Sequence, residues 1–168
     1  MKRIIIALIA ILMLAAPALA ETKVAYVDLQ KALNLSKAGA QAKSDISTLV
    51  KKYEGEFKTK QEDLLAKKGD LEKQATLLSD SAKAEKEREY QKEVRDLQRF
   101  QKDVKDELQL KDGEYTKRIL NELFEILQKI GKDGGYTMIL EKNEGAVIYA
   151  SDNVDLTDEL IKQYDASK

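Results

Sequence analysis

The chain contains no cysteine, no histidine, no tryptophan and a single proline among its 168 residues, and only 6% of the residues are aromatic. Without cysteine there is no disulfide, no thiolate nucleophile and no cysteine-linked lipid. With so few aromatic side chains, little of the sequence can fill a core. The sequence also lacks a glycine-rich phosphate loop and clustered metal ligands. These absences argue against an enzyme and predict no cofactor and no metal.

The first twenty residues follow a different pattern from the rest. Lys2 and Arg3 precede an apolar run over 4–16, and Pro17 and a small-residue pattern at 18–20 follow it. This is the pattern of a secretory signal peptide. The apolar run is too short to span a bilayer, which takes about 20 residues. We therefore expect export and cleavage after Ala20.

Charge is abundant but balanced. The chain has 29 basic and 30 acidic residues, and charged residues are 35% of it. Removing Lys2 and Arg3 with the signal peptide leaves 27 basic against 30 acidic residues, a net charge of −3. A mildly acidic chain of this kind argues against nucleic acid as a partner.

Two long, proline-free segments carry apolar residues at three- and four-residue steps, which predicts helices over 36–78 and 82–130. The apolar stripes are interrupted by Lys60, Lys67 and Gln101, so each helix has half of a good coiled-coil seam. Ser79 and Asp80 suit a tight turn and a helix cap between them. The two helices are therefore expected to form an antiparallel hairpin, an arm over 41–130 with its tip near 79–82.

Two alignments of this hairpin are open. A turn near residue 79 stacks Tyr53 on Val104 and Leu64 on Val94, whereas a turn near 82 stacks Phe57 on Leu108. We favour the first because it turns at serine and aspartate. Glycines within a helix cost roughly 1 kcal/mol each relative to alanine. The arm, about 60 Å long at 1.5 Å per residue, is therefore expected to bend at three glycine hinges, namely Gly55, Gly69 and Gly113.

The two ends of the chain have strand composition. Strands are expected near 22–28, 136–142 and 146–150, the last two joined by a hairpin turn over 143–145 that contains Gly145. Asp28 is expected to cap a short helix, and a closing helix is expected over 156–164. Residues 21–40 and 131–168 then form one small body, which makes the fold class α+β. A body this small is marginal alone, so copies are expected to associate through strand edges.

The end motifs closely resemble those of the Skp (OmpH-like) periplasmic chaperones of Gram-negative bacteria. The motifs that carry the resemblance are Lys-Val-Ala-Tyr-Val-Asp over 23–28, Tyr-Thr-Met-Ile-Leu-Glu over 136–141, Ala-Val-Ile-Tyr-Ala-Ser over 146–151 and Val-Asp-Leu-Thr-Asp-Glu-Leu-Ile over 154–161. The arm matches in length and composition only. The likeness covers essentially the whole mature chain.

The resemblance implies a homotrimer whose β-body joins three helical arms around a cavity in the periplasm. It implies an ATP-independent holdase that binds unfolded outer-membrane proteins and needs no nucleotide. The family includes a strongly basic member linked to lipopolysaccharide, whereas the acidic balance here argues against lipopolysaccharide or an anionic membrane as a partner. The alternative function is a structural or adaptor coiled-coil spacer.

Client contacts are expected away from the seam, because an apolar stripe at helical spacing is usually a contact between helices. Four apolar residues fall outside the predicted stripes and are the candidates for client contact: Leu65, Leu77, Phe100 and Leu110. Each of them competes with incidental exposure, since single exposed apolar residues are common on protein surfaces.

Overall fold

A computed structural model describes residues 22–74, 76–143 and 147–168. The elements in chain order are β1 (Val24–Val27), α1 (Leu29–Leu35), α2 (Lys37–Gln74), α3 (Asp80–Asp133), β2 (Met138–Glu141), a 3-10 helix (Asp152–Val154) and α4 (Thr157–Ala166). The predicted signal peptide, and Glu144 and Gly145 of the predicted turn, lie outside the described residues.

The body brings the two ends of the chain together. Strands β1 and β2 pair in parallel, with Val24 opposite Met138 and Val27 opposite Glu141. The connection between them is the whole arm. On its other side β1 is bridged by Asp155 at Tyr26, and the next residue, Leu156, donates its backbone N–H to the Tyr26 carbonyl at 2.9 Å. The first strand is therefore central, and Ala25, Tyr26 and Val27 in it are at most 5% exposed.

The core lies where the base of the arm meets the two short helices. Ile119 and Leu123 of α3 pack with Leu160 of α4 and Ala32 of α1, and all four are at most 1% exposed. The buried hydroxyl of Thr157 accepts a hydrogen bond from the Asp28 backbone N–H at 2.9 Å. Because a buried polar group must be paired, this bond fixes the end of β1 against the start of α4.

Local sequence explains where the helices begin and end. Asp28 caps α1, its carboxylate accepting from the Lys31 N–H at 2.7 Å, and Ser79 caps α3, as predicted. Gly39 lies so close to α1 that a Cβ there would be 1.8 Å from the Leu33 carbonyl oxygen. Only glycine fits at this crossing. At the far end of α3, Gly135 adopts a φ of 65°, which glycine adopts without strain.

The arm is an antiparallel hairpin of α2, with 38 residues, and α3, with 54. At 1.5 Å per residue the shorter helix extends for about 57 Å. Tyr53 donates its hydroxyl to Glu107 at 2.8 Å, and Lys67 pairs with Glu93. Both pairs lie nearer to the alignment that places Tyr53 opposite Val104 than to the one that places Phe57 opposite Leu108.

The helix bounds differ from the predicted ones by a few residues. Helix α2 ends at Gln74 rather than at 78, and α3 begins at Asp80 rather than at 82. At its other end α3 continues past Gly131 to Asp133, and Gly134 is its C-cap residue. The cost of one glycine in a helix is small. Packing of α3 on the body outweighs it, since the Cβ position of Gly131 lies 3.4 Å from Ile139.

The predicted strand over 146–150 needs correction. Its described residues, 147–150, are not in a strand, and the side chains of Ile148 and Tyr149 are 96% and 88% exposed. The predicted β-hairpin is therefore absent from the described residues, and β2 pairs with β1 instead. The physical reason is that strand propensity reflects side-chain packing more than backbone preference, and Ile148 and Tyr149 are packed against almost nothing in the single chain. The outer edge of β2 stays open among the described residues.

Candidate functional site

The seam of the arm is only half closed. Between the buried residues Ala42 and Ile119, none of the described side chains is fully buried. Two helices cannot surround each other's apolar stripes, and the interrupting lysines keep their charged ends in water. The arm therefore presents partly exposed apolar surface along its length.

One stretch of the seam forms an apolar groove of about 220 Å³. Its apolar wall consists of Val50, Tyr53, Phe57, Phe100, Val104 and Leu108. The rings of Tyr53 and Phe100 meet edge to face with their centroids 6.1 Å apart, a favoured geometry for aromatic pairs. Phe100 was expected off the seam, and this placement is wrong: it is half-buried and packs across the hairpin. An apolar stripe on α3 slowly rotates around the helix, because 3.6 residues per turn do not match a seven-residue repeat.

The other three candidate residues lie on the surface of the arm. Leu65 on α2 and Leu110 on α3 are 63% and 61% exposed, and Leu77 at the tip is 84% exposed. They lie at different heights along the arm, so the structure does not bring them into one patch. They offer separate, small apolar contacts.

The three predicted hinge glycines lie inside continuous helices. A Cβ added at Gly55, Gly69 or Gly113 would meet nothing within 4 Å. Packing therefore gives no reason for a glycine at any of these positions. Each one weakens its helix locally, because glycine loses more backbone entropy than alanine when a helix forms.

The charges of the arm are paired along and across its helices. Lys52 with Glu56 and Lys58 with Glu62 are four residues apart on one helix, and their side chains are largely exposed. Across the hairpin, the hydrogen bond to Glu93 raises the pKa of Lys67. Exposed pairs of this kind contribute little stability. Among the described residues there is no cluster of acidic side chains that could hold a metal ion.

The body exposes apolar residues beside its short sheet. Met138 and Leu140 of β2 are 53% and 38% exposed, and Ile148 and Tyr149 follow in the segment that lacks a partner strand. Beyond β2 the described residues supply no further strand. The body thus presents exposed apolar side chains on β2, an open edge of that strand, and an apolar segment that pairs with no strand among the described residues.

A polar cluster at the arm base was not foreseen from the sequence. The buried Tyr164 of α4 donates its hydroxyl to Glu122 of α3 at 2.5 Å, and Lys168 contacts the same carboxylate oxygen at 2.8 Å. The hydrogen bonds from Lys168 and Tyr164 lower the pKa of Glu122. Burial and the same carboxylate raise the pKa of Tyr164. One indication of this cluster was present in the sequence: Tyr164 lies one turn after Leu160 on the apolar face of α4.

Within the described ranges, every helix is too short or too polar to cross a membrane. The sequence model of a family described as outer membrane protein (OmpH-like) matches residues 23–164. A Skp-like protein of Pseudomonas aeruginosa is 26% identical over 154 residues, which cover 92% of this chain and 90% of that protein. An uncharacterized protein of Aquifex aeolicus is 27% identical over 141 residues, which cover 84% and 85%.

A solved structure shares the fold. The crystal structure of a proposed outer membrane chaperone (OmpH-like) from Caulobacter crescentus matches with a TM-score of 0.83, at 18% identity, over 89% of this chain and 87% of that one. The α+β fold with a long helical arm and the resemblance stated from the end motifs are both confirmed. Because the family model extends from the first strand to the last helix, the protein belongs to the OmpH-like outer membrane protein family.

Proposed function

We propose that this protein is an ATP-independent holdase chaperone of the periplasm, which binds unfolded outer-membrane proteins and prevents their aggregation in transit. The family and the Skp-like relative support a chaperone role. The observation that carries the proposal is the arm itself, a long hairpin whose seam is half open and whose surface displays Leu65, Leu77 and Leu110. Such a surface offers many small apolar contacts rather than one deep pocket.

Three copies are proposed to associate through their bodies. Ile148 and Tyr149 are almost fully exposed, and β2, which precedes them in the chain, has an open edge among the described residues. Strand edges pair readily with another chain, and an apolar segment beside such an edge gains free energy when it is covered. A ring of three bodies would hold three arms around a cavity, with Gly55, Gly69 and Gly113 as proposed hinges of each arm.

The strength of client binding is proposed to come from multiplicity. Burial of an apolar contact of a few tens of Å² contributes about 1 kcal/mol or less, at about 25 cal/mol per Å². A client that touches several arms at once is held through the sum of these contacts. Each contact breaks easily, so release is driven by the more favourable folding of the client in the membrane and consumes no nucleotide.

Export is part of the proposal. The chain would reach the periplasm through the signal peptide over 1–20, with cleavage after Ala20, and the mature body would begin just before β1. Analysis of the N-terminus of protein recovered from the periplasm by mass spectrometry tests this step. A protein that retains Lys2 and Arg3 would contradict it.

The function is tested by diluting a denatured outer-membrane β-barrel protein out of urea and following its light scattering. The mature protein should suppress the scattering, and the triple variant Leu65→Ser, Leu77→Ser, Leu110→Ser should suppress it less. The control is Leu35→Ser, which alters a residue 62% exposed on the body and should protect like the unaltered protein. Equal scattering with and without the protein would refute the proposal and favour a structural spacer.

A further inference from the structure

A shallow notch interrupts the surface of α3 around Gly113. It is an open depression of about 510 Å³, lined by Asp106, Gln109, Leu110, Gly113, Glu114 and Lys117. The lining residues all belong to α3, so the notch does not depend on how the two arm helices are aligned. Its centre is bare backbone, since a Cβ at Gly113 would meet nothing within 4 Å.

The notch opens away from the other arm helix. Val104 and Leu108 of α3 line the seam groove together with Val50, and Tyr115 donates its hydroxyl to Asp45 of α2 at 3.1 Å. Helical geometry places residues 110, 113 and 117 on the opposite side of α3 from these positions. The notch is therefore on an outward face, which remains open after the hairpin has formed.

Three chemical features meet in the notch. Leu110 supplies an apolar wall that is 61% exposed, and Gly113 supplies a flat floor because it has no side chain. Lys117 lies one turn further on and forms no ion pair within the described part of the chain. Glu114, its neighbour, is bonded to Lys111 at 3.2 Å. The positive charge of Lys117 is thus available to a ligand.

A flat ring with a negative face fits these features. An aromatic side chain can lie on the glycine floor with one edge against leucine, and a lysine ammonium is attracted to the face of such a ring. Strands of outer-membrane barrels carry girdles of aromatic residues at both membrane interfaces. In an unfolded barrel protein these aromatic side chains are exposed and accessible.

We propose that the notch formed by Leu110, Gly113 and Lys117 is a subsite for aromatic side chains of unfolded barrel proteins. This inference rests on the proposed holdase function and adds the residue class that the arm selects. It gives Gly113 a role beyond that of a hinge, since any side chain there would occupy the floor of the notch.

The other arm glycines allow the two roles of Gly113 to be separated. Gly55 is equally open, but Lys52 and Thr59 occupy the positions that Leu110 and Lys117 hold around Gly113. Substitution of either glycine by alanine stiffens its helix by the same mechanism. Only the substitution at 113 fills the notch. Gly55→Ala is therefore the matched control.

The test measures binding of fluorescent peptides to the full mature protein by anisotropy. One peptide is an alternating polar and apolar strand with tyrosine and phenylalanine at its apolar positions, and the other carries leucine at those positions. Loss of a cation–π contact at an exposed site predicts a Kd for the aromatic peptide about two- to five-fold higher in Gly113→Ala and in Lys117→Gln. The leucine peptide should respond little to either change, and Gly55→Ala should bind both peptides unchanged.

Equal effects of Gly113→Ala and Gly55→Ala would overturn the proposal, as would equal effects on the two peptides. Circular dichroism should show that each variant keeps its helix content. The light-scattering assay separates this inference from the function on which it rests. Full protection of the client with no discrimination between the peptides refutes the aromatic subsite and leaves the holdase function standing. Discrimination between peptides without protection supports the notch and counts against the holdase.

Discussion

If the bodies associate as proposed, a substitution at Ile148 should weaken the contact between copies. Ile148 is 96% exposed in the single chain, and the preceding strand β2 has an open edge among the described residues. If a second copy covers this side chain, its burial contributes about 1.5–3 kcal/mol. Ile148→Ser should then weaken each contact between copies by about 10- to 150-fold, since 1.4 kcal/mol corresponds to a factor of ten.

Sedimentation equilibrium over a dilution series measures this change directly. The variant should dissociate at a higher concentration than the unaltered protein and should keep its helix content, because Ile148 is almost fully exposed in its own chain. Leu77→Ser is the control, since Leu77 is 84% exposed at the arm tip, far from the body. An unchanged dissociation curve for Ile148→Ser, or equal weakening in the control, would refute the reasoning.

Three further predictions concern stability. Leu123→Ala, at a side chain with no exposure, should lower the free energy of unfolding by about 2–5 kcal/mol in urea titrations; a loss below 1 kcal/mol would contradict this core. Gly69→Ala should raise thermal stability by about 1 kcal/mol, whereas Gly39→Ala should lower it because its Cβ would overlap the Leu33 carbonyl; the reverse order would contradict both environments. The hydrogen bonds that lower the pKa of Glu122 below its ordinary value of 4.5 stabilise the fold fully at a pH above 4.5. This stabilisation is lost as the pH falls through the lowered pKa. Glu122→Gln should thus reduce thermal stability at neutral pH and flatten its acid dependence, and an unchanged acid limb would contradict that role.

The helices could be predicted where the sequence pattern is repeated over many residues or acts locally. The three- and four-residue periodicity over tens of residues identified both arm helices. Asp28 marked the start of the body helix α1, and Ser79 was among the expected caps of α3, because a capping side chain acts within three residues. The end of α3 was predicted only to within three residues, at 130 rather than at Asp133.

Features that depend on distant partners were not predictable from the sequence. The parallel pairing of β1 with β2 joins segments separated by the whole arm, and nothing local in Val24–Val27 specifies it. The segment around Ile148 has strand composition, but the described residues give it no partner strand, so a prediction from composition alone was wrong. Phe100 was misplaced because a small drift in helix phase decides whether a residue points into the seam. The contact of Tyr164 with Glu122 arises only after α4 docks on the arm base.

The central claim is that the bodies associate so that the arms surround a common space. Light scattering coupled to size-exclusion chromatography of the mature protein tests it most directly, because it gives the mass independently of shape. The elongated arms would distort an estimate from elution volume alone. We predict a mass of about three mature chains, the number of subunits that the resemblance to the Skp family implies. A uniform mass of one chain at every concentration would contradict the account.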